Sequence, residues 1–171
     1  MSFDRTAPTR TTESASMPRP EPGSEPEPAP RPEHDARAVL EAFFAAEAAY
    51  IGAGGRGRAS FAELAACLAP DVVMYQAPGL PYGGPRYGPS GIEDFMAAMS
   101  EAWREMEFLE QRFAVDGESV AILNRGLLTA RATGRVLDTW VMQMITVRDG
   151  LITEIRPFYW DTKAVDAALT P

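Results

Sequence analysis

The sequence predicts an α+β domain, with helices from its first half packed on one face of a mostly antiparallel sheet built from its second half. Apolar residues recur at helical spacing in three segments between residues 39 and 103. From about residue 106 the pattern becomes alternation, and Asp116-Gly117 and Asp149-Gly150 mark tight hairpins between alternating segments. Helices followed by a meander of strands bury their apolar faces most simply as a helical layer on a sheet.

Residues 1–34 stand apart from that pattern. They hold eight of the fifteen prolines with six acids and four bases, and too little apolar surface to offset the entropy of ordering them. An extended, partly polyproline-II leader is expected there, and the folded domain over 35–171. In the domain, Val39, Leu40, Phe43, Phe44 and Ala48 fall on one side of a first helix that the glycines from Gly52 to Gly57 end. The GAGGRG run follows a helix rather than a strand and lacks a Lys-Ser/Thr ending, so it is not read as a phosphate loop. A second helix is expected to open at Ser60, with Glu63 as capping-box partner, and to carry Phe61, Leu64, Ala65 and Leu68 until Pro70 stops it. Cys67 lies beside that stripe with no histidine to activate it, the setting of an inert thiol.

A short strand over 71–76 leads into a loop rich in proline and glycine. Its Tyr82 and Tyr87 suit either a pocket lid or a rigid connection. The third helix is expected to open at Ser90, with Glu93 as partner, and to carry Ile92, Phe95, Met96, Met99 and Trp103. Four strands over 106–115, 119–130, 135–147 and 151–160 follow, then a short helix over 162–169. In the third of these strands Val141, Gln143, Ile145 and Val147 point one way, and Trp140, Met142, Met144 and Thr146 the other. A sheet covered on one face should be polar on its second. The apolar second face therefore calls for another subunit, and a twofold homodimer through the outer sheet face is the simplest closed arrangement.

Composition excludes several functions. The chain of 171 residues has 24 acids, 16 bases and a net charge of −8, with no basic stripe to hold nucleic acid. No apolar run reaches the ~18 residues that span a membrane. The polar start MSFDRTAPTR lacks a signal peptide's apolar stretch, which points to the cytoplasm. One cysteine, Cys67, and one histidine, His34, leave no disulfide, no zinc cage of cysteines and no Ser-His-Asp triad, and no metal is expected.

The segments LAPDVVMYQAP, LPYGGPRYGPSGIEDF and DGLITEIRPFYWDTKAV resemble the nuclear transport factor 2-like superfamily, in particular its SnoaL-like, ketosteroid isomerase-related branch. The resemblance covers about residues 36–170. It implies a cone: a strongly curved sheet wrapped around three N-terminal helices, enclosing one apolar pocket and usually dimerised through the sheet. It further implies cofactor-independent acid–base chemistry (a cyclase, isomerase or dehydratase) on a hydrophobic carbonyl or polyketide-like molecule of natural-product metabolism. The family's non-catalytic binding and interaction modules are the alternative.

Carried over residue by residue, the resemblance is uneven. The place of the isomerase's general-base aspartate at the end of the first strand falls on Gln76 or Ala77, which cannot act as a base. Its oxyanion-hole tyrosine and neutral aspartic acid fall on Phe43, which has no hydroxyl, and on Gln143, whose amide still donates. The acid–base aspartate of SnoaL-type cyclases falls on Asp161, and their pocket glutamine on Gln143. Their pocket histidine has no counterpart in the domain. Asp161 thus has two compatible readings, a proton-transfer group whose pKa burial would raise and a helix N-cap. Gln76, Tyr159, Tyr82, Trp103, Phe43 and Arg125 complete the expected substrate-binding set, although an ordinary cross-strand ion pair is the favoured reading of Arg125.

Overall fold

The structure, a computed structural model, describes residues 36–171; the leader expected over 1–34, with His34, lies outside the described residues. The first helix, α1 (Ala36–Gly52), is rich in alanine, the best helix former. Its buried stripe runs through Leu40, Phe43, Phe44, Glu47, Tyr50 and Ile51, in steps of three and four that follow the helical turn. Ala48, expected on that stripe, is exposed, and Glu47 takes the inward place. The helix stops where Gly54, Gly55 and Gly57 adopt positive φ. At Gly55 a Cβ would also stand 2.5 Å from Ser100 Oγ, so a larger residue would collide with the third helix.

The short α2 (Ala62–Ala66) has Phe61 at its N-cap with no side-chain cap bond, so the box expected from Ser60 and Glu63 is not formed. Ser60 Oγ instead accepts from Ala62 N–H at 3.2 Å. The third helix, α3 (Gly88–Ala102), opens two residues before Ser90: Gly88 turns the chain at φ 68° and Pro89 occupies the first turn, where no N–H is needed. Trp103 is not on this helix but is the first residue of a strand.

The strands are β1 (Leu68–Gln76), β2 (Gly84–Tyr87), β3 (Trp103–Asp116), β4 (Ser119–Ala130), β5 (Val136–Arg148) and β6 (Leu151–Tyr159), with α4 (Thr162–Leu169) last. They form one open six-stranded sheet in the order β2-β1-β6-β5-β4-β3, antiparallel except where β1 meets β6. The segment expected to be entirely loop therefore contributes β2, an edge strand where Pro85 is tolerated. The turn before it is packed rather than free: Leu80 and Tyr82 are buried, and the Tyr82 ring meets Phe95 edge-on at 5.9 Å. Both Asp-Gly hairpins occur as expected, with Asp149 and Gly150 at the positive φ that a two-residue turn requires.

Val120, Ile122, Ile145, Ile152 and Ile155 of the inner sheet face meet Leu40, Phe43, Ile92 and Met96 in the core. The outer face carries a row of Leu123, Met142 and Phe158 across β4, β5 and β6, with Met142 42% and Phe158 49% exposed. The C-terminal helix is tied down by the β4–β5 turn, where Thr133 Oγ1 donates to Ala168 O at 2.6 Å and Arg135 Nη1 to Thr170 O at 2.7 Å.

Candidate active site

The inner face of the sheet leaves a cavity of about 60 Å³ beneath α1 and α3. Met74, Phe95, Met99, Met106, Phe108 and Leu128 make its apolar wall, and Glu47, Gln76, Asn124, Thr139, Gln143 and Tyr159 its polar lining. The two-residue period of the strands explains the set. On β4 the inward series is Val120, Ile122, Asn124, Gly126 and Leu128, in which one amide breaks the apolar run. Gly126 supplies space, since a Cβ there would reach contact with Glu107 O at 3.4 Å and the Phe108 ring at 3.9 Å. On β5, Thr139 and Gln143 take inward places; on β6, Pro157 and Tyr159 do so; on β1, Met74 and Gln76.

Glu47 is the chemical centre of this lining. Its side chain is buried at 7% exposure, and burial pushes its carboxyl from 4.5 up to about 7. Glu47, Met106 and Phe108 also border a second crevice, of about 90 Å³, with the exposed Arg104 and Glu105 among its other walls. Glu47 therefore borders both hollows. Burial holds the Tyr159 phenol well above its ordinary range, so it stays protonated near neutrality. Burial likewise raises Tyr82, against the opposing pull of Trp103 and Tyr159.

Two amides leave valences open towards this space. Asn124 Oδ1 accepts from Gln111 Nε2 at 3.0 Å, while Asn124 Nδ2 is buried without a partner. Gln76 Nε2 makes a long 3.6 Å contact with Met74 Sδ, and its Oε1 is likewise unpartnered. Buried polar atoms normally find partners, so these two mark where a ligand's polar atoms would gain most.

Of the residues expected in the site, Gln143, Gln76 and Tyr159 line the cavity. Tyr82 is buried behind Tyr159, and Phe43 and Trp103 are buried core side chains outside the cavity lining. Asp161 must be corrected. Strand β6 ends at Tyr159, so alternation no longer fixes the direction of residue 161. Its side chain is exposed, and Oδ1 accepts from Lys163 N–H at 2.9 Å and Ala164 N–H at 3.0 Å as the N-cap of α4. Arg125 is corrected too: it points out of the sheet and pairs with Asp138, Nη2 to Oδ2 at 2.6 Å and Nε to Oδ1 at 3.0 Å. Glu47 and Asn124 escaped the sequence reading. The signal for Glu47 was its spacing, seven residues after Leu40 and four after Phe43, on the stripe where a lone acid is out of place.

Helices cradled by an open, curved sheet with one polar-studded cavity define the nuclear transport factor 2-like class of protein. The sequence pattern of the SnoaL-like domain matches residues 56–155, and the chain belongs to that family. Among solved structures, a nuclear transport factor 2-like protein from Burkholderia xenovorans is 25% identical with a TM-score of 0.67, over 79% of this chain and 95% of that one. A protein from Jannaschia sp. assigned as a SnoaL-like polyketide cyclase is 18% identical with a TM-score of 0.66, over 87% and 100%. A protein from Rhodopseudomonas palustris assigned as an isomerase is 18% identical with a TM-score of 0.60, over 76% and 94%. No curated protein matches the sequence. Among the described residues no helix is long and apolar enough to cross a membrane, and no cluster of acids, histidines or cysteines is arranged to hold a metal ion.

Proposed function

We propose that the cavity is the active site of a cofactor-independent acid–base enzyme, a cyclase, isomerase or dehydratase acting on a hydrophobic carbonyl compound. One observation carries this reading: a carboxyl buried in an apolar cavity, poised at about 7 by desolvation, is a base matched to work near neutrality. In the step envisaged, ionised Glu47 takes a proton from the carbon beside the carbonyl. The C–H electron pair moves into the carbon–carbon bond and negative charge collects on oxygen. Glu47 then returns the proton, to another carbon in an isomerisation, to the new alkoxide in a cyclisation, or to the departing oxygen in a dehydration.

The developing oxyanion is assigned to the donors around the cavity. Asn124 Nδ2 has no other partner, Tyr159 keeps its proton, and the Gln143 amide lies on the same wall. A well-placed donor of this kind is worth about 3–4 kcal/mol in the transition state. Exchange of α-protons of apolar cyclic ketones in deuterium oxide, followed by proton NMR, reports enolisation before the natural substrate is known. The wild type is expected to catalyse exchange, with Glu47→Gln inactive and Asp161→Asn active. Exchange that survives in Glu47→Gln would remove Glu47 from the mechanism.

The same reading takes the working unit to be a homodimer formed through Leu123, Met142 and Met144 of the outer face. Support comes from apolar side chains on a surface that a single copy leaves half exposed, with Met144 at 38%. Met142→Lys is expected to convert a dimer into a monomer in sedimentation. A wild type that sediments as a monomer would end the dimer proposal.

A further inference from the structure

Asn124 can serve as an oxyanion donor in only one of its two orientations. A side-chain amide has a donor end and an acceptor end, and half a turn of its last torsion exchanges them. With Nδ2 towards the cavity, Asn124 stabilises negative charge on a carbonyl oxygen; with Oδ1 there, it repels that charge. The side chain is 1% exposed, and a single bond orients it, in which Gln111 Nε2 donates to Asn124 Oδ1 at 3.0 Å. Nδ2 is left on the cavity side with no partner among the described residues.

Gln111 meets Asn124 because β3 carries a bulge. Phe108 stands opposite Gly126 while Glu110 stands opposite Arg125, so Leu109 is an extra residue on the β3 side. It lies on an edge strand and is 44% exposed. Across it the inward positions of β3 change from the even numbers, Met106 and Phe108, to the odd ones, Gln111 and Phe113.

An unbroken ladder would set Glu110 opposite Asn124 instead. An ionised carboxylate only accepts, so Glu110 would take Nδ2 and turn Oδ1 into the cavity. With the bulge in place, Glu110 stands opposite the outward-facing Arg125 and pairs with Arg112. Glu47 acts in the same sense as Gln111. Once ionised, its charge in the same lining attracts the N–H end of the amide and repels the oxygen.

Resting on Glu47 as the base and Asn124 as a donor, we propose that Gln111 is a positioning residue that holds the Asn124 amide with its N–H groups towards the reacting oxygen. Gln111 is exposed and outside the cavity lining, so it acts only through Asn124. The bulge at Leu109 is the device that brings an amide rather than a carboxylate to this place.

The test changes one exposed position in the full-length protein. Gln111→Lys offers only a donor and is expected to keep ketone α-proton exchange near the wild-type rate. Gln111→Glu offers only an acceptor, and should turn Asn124 round and slow exchange about 10²-fold, the cost of one oxyanion donor. Both should melt close to wild type. Gln111→Glu is then repeated in Asn124→Ala, because an effect of charge alone appears in both backgrounds and an effect carried by Asn124 vanishes in the second. The Asn124 side-chain amide signal in NMR, assigned with Asn124→Ala, reads orientation without turnover. In wild type it should shift on addition of cyclopentanone; in Gln111→Glu it should instead follow the titration of the introduced carboxyl. Equal rates in Gln111→Lys and Gln111→Glu, or a slowing that persists in Asn124→Ala, would overturn the positioning role and leave Glu47 standing. If the wild type catalyses no exchange, the reading of Glu47 falls, and an Asn124 signal indifferent to both ketone and carboxyl would take Gln111 with it.

Discussion

Glu47 and Asp161 carry the same functional group in opposite surroundings. Asp161 stands in water with two backbone N–H groups on one oxygen; Glu47 faces an apolar cavity, and burial alone lifts its carboxyl to about 7. The first arrangement stabilises a helix end. The second destabilises the ionised protein and yields a group able to exchange a proton. Resemblance to the SnoaL-type cyclases points to the first residue, and burial in the cavity points to the second.

The comparison breaks most sharply at Glu47→Gln. General-base removal costs about 10²–10⁴-fold in rate, measured as ketone α-proton exchange. The stability of the same variant moves the other way. The native carboxyl holds its proton up to about pH 7, and the unfolded one releases it near 4.5. Between those values the native state binds more protons, so wild-type stability falls as pH rises through the window and levels off above it. Chemical denaturation above about pH 7 should find Glu47→Gln more stable by about 3 kcal/mol, with its pH dependence across the window flattened. Wild-type exchange rate should rise with an inflection near 7, opposite in sign to the stability trend.

Filling the cavity comes next. Gly126→Leu extends a side chain beyond the point where a Cβ already touches the Glu107 and Phe108 side of the wall. Loss of ketone α-proton exchange is expected, with overpacking of about 1–3 kcal/mol. Tyr159→Phe removes one donor and keeps the ring, so turnover should fall about 10²-fold or more with little change in melting temperature. Asp161→Asn should be the quietest, since asparagine caps as well as aspartate. Asp161→Ala should lose about 1 kcal/mol of stability with turnover intact. A collapse of turnover in Asp161→Asn would reverse the comparison.

The long strands, their hairpins and the last helix were legible because period-two alternation and Asp-Gly turns are local signals. Helix starts were less so: Ser60 and Ser90 satisfy the capping-box spacing, yet Gly88-Pro89 sets the start of α3 by backbone conformation instead. The edge strand β2 was hidden because GPRY has almost no strand propensity and exists through its pairing with β1. In the site, Gln76, Gln143 and Tyr159 could be placed by alternation, which holds as long as a strand lasts. It failed for Asp161, one residue past the bend that follows Tyr159. Arg125 was misplaced among the ligand contacts because alternation gives its face only once the inner face of β4 is known.

The edge of the sheet also has a mechanical meaning. The pair of strands β1 and β2 joins the sheet through β6 from Leu68 to Met74, and neither Gln76 nor Gly84 is paired with β6. That corner is held instead by α3, which packs on both strands. The wall of the cavity that carries Gln76 thus leans on a helix rather than on the ladder of the long strands.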